Sequence, residues 1–200
     1  MQMQLQAHDL LWGMTLDLLD ANAPAWVKTV IAQGQPVVVR RAITESTMVA
    51  VGIRGTARHE RYAAHMPIAA ITQQLKPETL TAMNLQCFPQ LIGRLHKVQE
   101  LLNQARWTWG YTGSVGFELA TGINSVSANS DIDLLIRTAE FLSKNDAQQL
   151  LQSLEHTGLK LDVQLQTPNG GVALKEWAST TGKVLLKRNH GAILVNNPWQ

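Results

Sequence analysis

Two aspartates, Asp131 and Asp133, stand one residue apart at the head of the run DIDLLIR, residues 131–137. The leucines and isoleucines that follow suit a buried strand, from which carboxylates are normally depleted. In an extended strand side chains alternate between faces, so both carboxylates share one face while Ile132 joins the apolar set on the other. Their Cα atoms then lie roughly 6 to 7 Å apart, and at an effective dielectric of about 20 two such charges repel by about 3 kcal/mol. A cation is expected between them. Oxygen donors with no His or Cys alongside suit a hard ion, and Mg²⁺ typically takes one or two carboxylates together with phosphate oxygens and water. A solvated pair of aspartates opening a strand is the alternative, and DxD alone does not separate the two.

Two further stretches bear on the choice. Gly113 and Ser114 follow the strand-like RWTWGYT and precede VGFELAT, a short helix-like segment. Backbone N–H groups and the Ser114 hydroxyl would there face an anion at a helix N-terminus, and phosphate is its natural occupant. Farther on, LKLDVQLQ alternates so that Asp162, Gln164 and Gln166 share one face and Leu161, Val163 and Leu165 the other. Asp162 is thereby placed to bring a third carboxylate from a neighbouring strand.

The rest of the chain reads as α+β. PVVVRRAI and TMVAVGIRG are strand-like, a helix-compatible stretch runs from about Leu16 to Ile31, and Thr56 is placed to cap a helix over TARHERYAAHM. FPQLIGRLHKVQELLNQ has a helical apolar period with Pro89 in the first turn, and DAQQLLQSLEH is an amphipathic helix closed by Gly158. GGVALKEWAST, KVLLKR and AILVNNPW read as a helix and one or two final strands. Pro67, Pro77 and the polar QQLKPETLTA mark a boundary, giving a small mixed N-terminal domain over 1–83 and a second domain over 84–200. That second domain is expected to hold a mixed sheet flanked by helices, with the active cleft where the domains meet.

Bulk properties exclude little but are consistent. A net charge of +2 singles out neither nucleic acid nor an anionic membrane as partner. One cysteine, Cys87, cannot form an intrachain disulfide, and no run approaches the apolar length of a membrane span. A soluble cytoplasmic protein is expected. Arg54, Arg58 and Arg61, with Arg40 and Arg41, offer forks that match phosphate, although a solvated face explains them equally well. The histidines lack metal-site spacing. Lys183, Lys187 and Arg188 suit either an acidic partner protein or a strand edge protected by charge.

Gly-Ser, then DxD on the next strand, then a single Asp on a third resembles the polymerase-β-like nucleotidyltransferases. Sixteen residues, 115–130, separate Ser114 from Asp131, more than that superfamily's compact spacing, so the segment around Gly122 to Asn129 is expected to be an enlarged loop. More narrowly, GSVGFELATG, SDIDLLI, LDVQLQTPNGGVALKEWA and the terminal NNPW resemble the malonate decarboxylase holo-acyl-carrier-protein synthases, also called phosphoribosyl-dephospho-CoA transferases. HDLLW, PVVVRR and VGIRGTARHERYAA are similar to the small N-terminal domain of that family. The resemblance implies transfer of a 2′-(5″-phosphoribosyl)-3′-dephospho-CoA group from its triphosphate precursor to a serine of the apo acyl carrier protein subunit, with release of pyrophosphate. The residues' own chemistry suits such a step: Mg²⁺ or Mn²⁺ is expected on Asp131 and Asp133, with Asp162 helping to hold the ion or taking the serine proton, all three catalytic, and precursor phosphates are expected at Gly113 and Ser114, with Arg54 and Arg58 as further candidates.

Three other readings stay open. One is a different metal-dependent nucleotidyltransferase acting on another protein or a small molecule. A second is a non-catalytic binding module on the same fold, against which clustered carboxylates without a cation weigh as a stability burden. A dinucleotide-binding fold is disfavoured, because its acid ends a strand whereas Asp131 and Asp133 begin theirs.

Overall fold

The computed structural model of the chain describes residues 4–57, 59–127 and 130–200. They form two compact units, Met1–Lys76 and Pro77–Gln200. Both combine helices with a sheet, as the α+β reading expects.

The first unit is built on a five-stranded antiparallel sheet. Its strands are β1 (Leu10–Trp12), β2 (Val37–Val39), β3 (Met48–Arg54), β4 (Arg61–Pro67) and β5 (Gln73–Leu75), in the order β4-β3-β2-β1-β5. Helix α1 (Ala25–Ala32) lays Val27, Val30 and Ile31 into a core with Leu11, Val37, Val51, Ile53 and Met66. The helix expected over TARHERYAAHM is not formed. Arg61–Pro67 is a strand, paired with β3 along its whole length from Arg54↔Arg61 to Met48↔Pro67. Cross-strand pairing to an adjacent apolar strand overrides the helical preference of its alanines.

The second unit carries a six-stranded sheet in the order β11-β10-β9-β8-β7-β6. Its strands are β6 (Thr108–Tyr111), β7 (Ile132–Arg137), β8 (Leu161–Thr167), β9 (Gly170–Ala173), β10 (Val184–Arg188) and β11 (Gly191–Val195). Between them run α2 (Ile92–Gln104), α3 (Gly113–Thr121), α4 (Lys144–Glu155) and α5 (Leu174–Ser179). Pro89 precedes α2 rather than opening it, since the helix starts at Ile92 after Leu91. Strands β7 and β8 are parallel and joined through α4, whereas the other neighbouring pairs are antiparallel. Ser143 caps α4 by accepting from the Asp146 N–H, and Gly158 at φ +70° allows the turn into β8.

Apolar alternation sets which face of this sheet is core. Ile132, Leu134, Ile136, Val163 and Leu165 are buried. At the far ends of β7 and β8, Trp199 Nε1 donates to the Thr138 carbonyl and Thr167 Oγ1 donates to the Pro198 carbonyl, so the terminal NNPW is pinned to the sheet. The short turn Pro77–Ala82 packs on β6, where a Cβ on Gly110 would overlap the Pro77 backbone. Glu78 Oε1 there pairs with Arg137 Nε of β7 at 2.5 Å. Among the described residues no helix is long and apolar enough to cross a membrane.

Candidate active site

Backbone pairing assembles the carboxylates. The parallel register sets Ile132 opposite Leu161 and Asp133 opposite Asp162, so these two aspartates are neighbours on one face at the start of their strands. Asp131 lies just ahead of β7, and the Ile132 N–H donates to the Lys160 carbonyl there at 2.9 Å. This pairing is long-range and could not be read from spacing alone. Asp162 is exposed, while Asp131 and Asp133 are half-buried.

Helix α3 meets the same strand ends. The Thr112 N–H donates to the Asp133 carbonyl at 2.9 Å, joining β6 to β7 immediately before the helix. Gly113 follows with φ +58°, a left-handed conformation that favours glycine, and a Cβ at this position would overlap the Asp133 carboxylate. The glycine is therefore required twice, for its backbone angle and for the space that Asp133 occupies. Ser114 comes next and is buried. Thr112 does not cap the helix with its side chain, so the positive end of α3 is directed at the carboxylate face.

A cation does stand at this face. Lys160 Nζ lies 2.5 Å from Asp131 Oδ1. That oxygen is buried but accepts no directed hydrogen bond, so the contact is an ion pair. Most of the lysine side chain is exposed, which lets it leave in favour of a stronger counterion. Among the described residues no group of three His, Cys, Asp or Glu side chains is drawn together as a ready metal cage. The donor set nevertheless fits a hard cation that completes its shell with phosphate oxygens and water: the acids are all carboxylates, and among the described residues one buried oxygen is met only by a displaceable ammonium.

Of the loop expected from Gly122 to Asn129, residues 122–127 are described and have their own anchor, while Asn129 lies outside the described residues. Glu118, buried in the helix, accepts from the Ser125 N–H at 2.7 Å and the Val126 N–H at 2.8 Å through Oε2. Gly122 closes α3 with φ +72°. Glu118 thus ties down the segment that leads to Asp131. Neither Glu118 nor Lys160 was singled out from sequence. A lone acid in an otherwise apolar helix was the available signal for the first, and the i, i+2 spacing of Lys160 and Asp162 for the second. Burial, then the nearby Glu118 charge, pushes the Cys87 thiol above its ordinary range.

The structure brings together Gly113, Ser114, Asp131, Asp133 and Asp162 within the second unit. Arg54 ends β3 in the first unit, paired across the hairpin with Arg61, and Arg58 lies outside the described residues.

Comparison with known proteins gives the family. The family described as phosphoribosyl-dephospho-CoA transferase MdcG C-terminal domain matches residues 74–198, and the corresponding N-terminal domain matches residues 6–77. A phosphoribosyl-dephospho-CoA transferase of Pseudomonas putida (strain W619) is 48% identical over 194 residues, covering 97% of this chain and 95% of the relative. Proteins of the same name from Azotobacter vinelandii (strain DJ) and Pseudomonas fluorescens (strain Pf0-1) are 46% and 45% identical, covering 98% and 96% of this chain and 94% of each relative. No solved structure matches the chain significantly. The chain therefore belongs to the MdcG phosphoribosyl-dephospho-CoA transferases, a family of transferase enzymes.

Proposed function

We propose that this protein transfers the 2′-(5″-phosphoribosyl)-3′-dephospho-CoA group from its triphosphate precursor to a serine of the apo acyl carrier protein subunit of malonate decarboxylase. The observation that carries the reading is the placement of Asp133 beside Asp162 on one strand face, with the N-terminus of α3 brought against Asp133 at Gly113. Helix N-termini bind phosphate, and paired carboxylates on oxygen-only faces bind the cation that accompanies it.

In this reaction the serine Oγ forms a bond to the α-phosphorus, the bond from that phosphorus to the bridging oxygen breaks, and pyrophosphate leaves. Asp131 and Asp133 would hold Mg²⁺ or Mn²⁺, and the exposed Lys160 would give up its place on Asp131. When bound, that cation neutralises charge developing on the transferred phosphoryl group and on the leaving pyrophosphate. The α3 N-terminus and Ser114 hold the terminal phosphates. Asp162, the most exposed of the three acids, accepts the serine proton or completes the cation's shell from the adjacent strand.

The test is a mass spectrum. The protein is incubated with Mg²⁺, apo carrier protein and triphosphoribosyl-dephospho-CoA, and the carrier is weighed. A gain of one phosphoribosyl-dephospho-CoA group is expected. No gain from that precursor, together with transfer of a nucleotide from ATP or UTP, would instead assign the site to another nucleotidyltransferase reaction.

A further inference from the structure

The far edge of the second sheet carries apolar side chains that the fold leaves exposed. Leu185 of β10 is 36% exposed, and Ile193 and Leu194 of β11 are 42% and 62% exposed. Every residue from Gly191 to Leu194 is exposed, so β11 is an open edge strand.

Strand register fixes which face this patch occupies. Gln164 and Gln166 share a face with Asp162, because alternate residues of a strand point the same way. Gln166 pairs with Gly171, and Gly171 pairs with Lys187. Leu185, two residues from Lys187, pairs with Leu194. Directly paired residues point to the same side of a sheet, so Leu185, Lys187 and Leu194 all lie on the carboxylate face. Val184 and Leu186 point the other way and are buried, and Ile193, paired with Leu186, lies on that other face.

Cations outnumber acids at this edge. Lys183, Lys187 and Arg188 follow Glu176, whose Oε1 accepts from the Leu185 N–H at 2.7 Å, and no acid comes after it. Lys183 and Lys187 are exposed. A partner that covers this surface therefore has to present carboxylates around apolar side chains.

Distance ties the patch to the reaction. Three strand spacings separate β8 from β11, or about 14 Å at roughly 4.8 Å each. A standard protein interface buries about 800 Å² per partner, equivalent to a disc of about 16 Å radius. Leu185 is level with Gln164, two residues along from Asp162, so an acceptor protein whose serine reaches Asp162 comes within reach of β10 and β11, about 16 Å away.

We infer that Leu185, Lys187 and Leu194 form the docking surface for the acceptor carrier protein, which meets them with an acidic, apolar-centred patch. This inference rests on the proposed transfer to a carrier protein, and its test separates the two. Apo carrier protein is titrated calorimetrically into wild type, Leu194→Glu, Lys187→Glu and Lys187→Arg, and transfer kinetics are measured in parallel. Melting temperatures confirm folding, which exposed positions should preserve. Both Glu variants are expected to weaken carrier binding and raise the carrier KM about tenfold or more. The precursor KM and kcat should change little, and Lys187→Arg should keep most of the affinity. Carrier binding that is weakened by the Glu variants without any transfer by wild type would uphold the docking surface and refute the transfer. Unchanged carrier affinity in folded Glu variants would overturn the docking surface. So would a wild-type dimer dissociated by Leu194→Glu with carrier KM unaltered, which would assign the edge to a second copy of the chain.

Discussion

Two aspartates in this molecule each stand immediately before a strand, and they are handled in opposite ways. Asp9, ahead of β1 in the first sheet, is fully buried, and its Oδ2 accepts from the Gln6 N–H at 2.9 Å and from Gln74 Nε2 at 2.7 Å. Asp131, ahead of β7 in the second sheet, is half-buried and balanced by an exposed lysine. Amide donors that are themselves fixed in the fold make the first carboxylate part of the scaffold. A counterion on a flexible stem leaves the second exchangeable. The lesson is that the partner, more than the acid or its place in a strand, separates a structural carboxylate from one available for chemistry.

The contrast breaks most sharply under substitution of the second sheet's acids. Asp133→Asn is expected to lower transfer by about a thousandfold or more, since it removes charge stabilisation made in the transition state. Thermal melting should show that the protein still folds, since the change is isosteric at a half-buried position. Next in size is Gly113→Ala, whose Cβ overlaps Asp133 and whose φ of +58° strains any other residue. It should cost about 1 to 3 kcal/mol of stability and depress transfer with it, measured by denaturant melts and initial rates. Asp9→Ala should show the reverse balance. Losing a charged group's hydrogen bonds is expected to cost about 2 to 3 kcal/mol by denaturant melt, with the kcat of the remaining folded protein intact.

A smaller effect sharpens the same distinction between satisfied and unsatisfied groups. Tyr111, on β6 beside the site, is fully buried and its hydroxyl finds no partner among the described residues. Burial raises its pKa well above the ordinary phenol value. The neutral form is the one the fold accepts, so this contribution to stability is complete below the unfolded-state value near pH 10 and is lost as pH rises toward the folded-state value. Tyr111→Phe should therefore stabilise by about 1 kcal/mol and flatten the loss of stability above about pH 10, as read from melting curves across pH.

Sequence reading was most informative where periodicity is local. The alternations in DIDLLIR and LDVQLQ and the helical period of α4 appear as strands β7 and β8 and a helix, and Gly113 and Ser114 open α3. It failed at β4, where the run RYAAHM looks helical in isolation and becomes a strand only because β3 lies beside it. The third closing strand was also understated, since β9, β10 and β11 are short and take their pairing from one another. Within the site, the acids and Gly-Ser were legible by type and order. The pairing of Asp133 with Asp162, the Lys160 counterion and the Glu118 anchor depend on long-range register and burial, which spacing does not encode.

The most direct test of the central claim, that the carboxylates on this strand face carry the transfer, is a single-turnover measurement on Asp162→Asn and Asp133→Asn with precursor saturating and pH varied. Asp133→Asn is predicted to give no measurable transfer at any pH while remaining folded. Asp162→Asn is predicted to slow the chemical step with precursor affinity preserved, and to recover part of its rate at higher pH if Asp162 accepts the serine proton. Wild-type rates in folded Asp133→Asn protein would contradict the account.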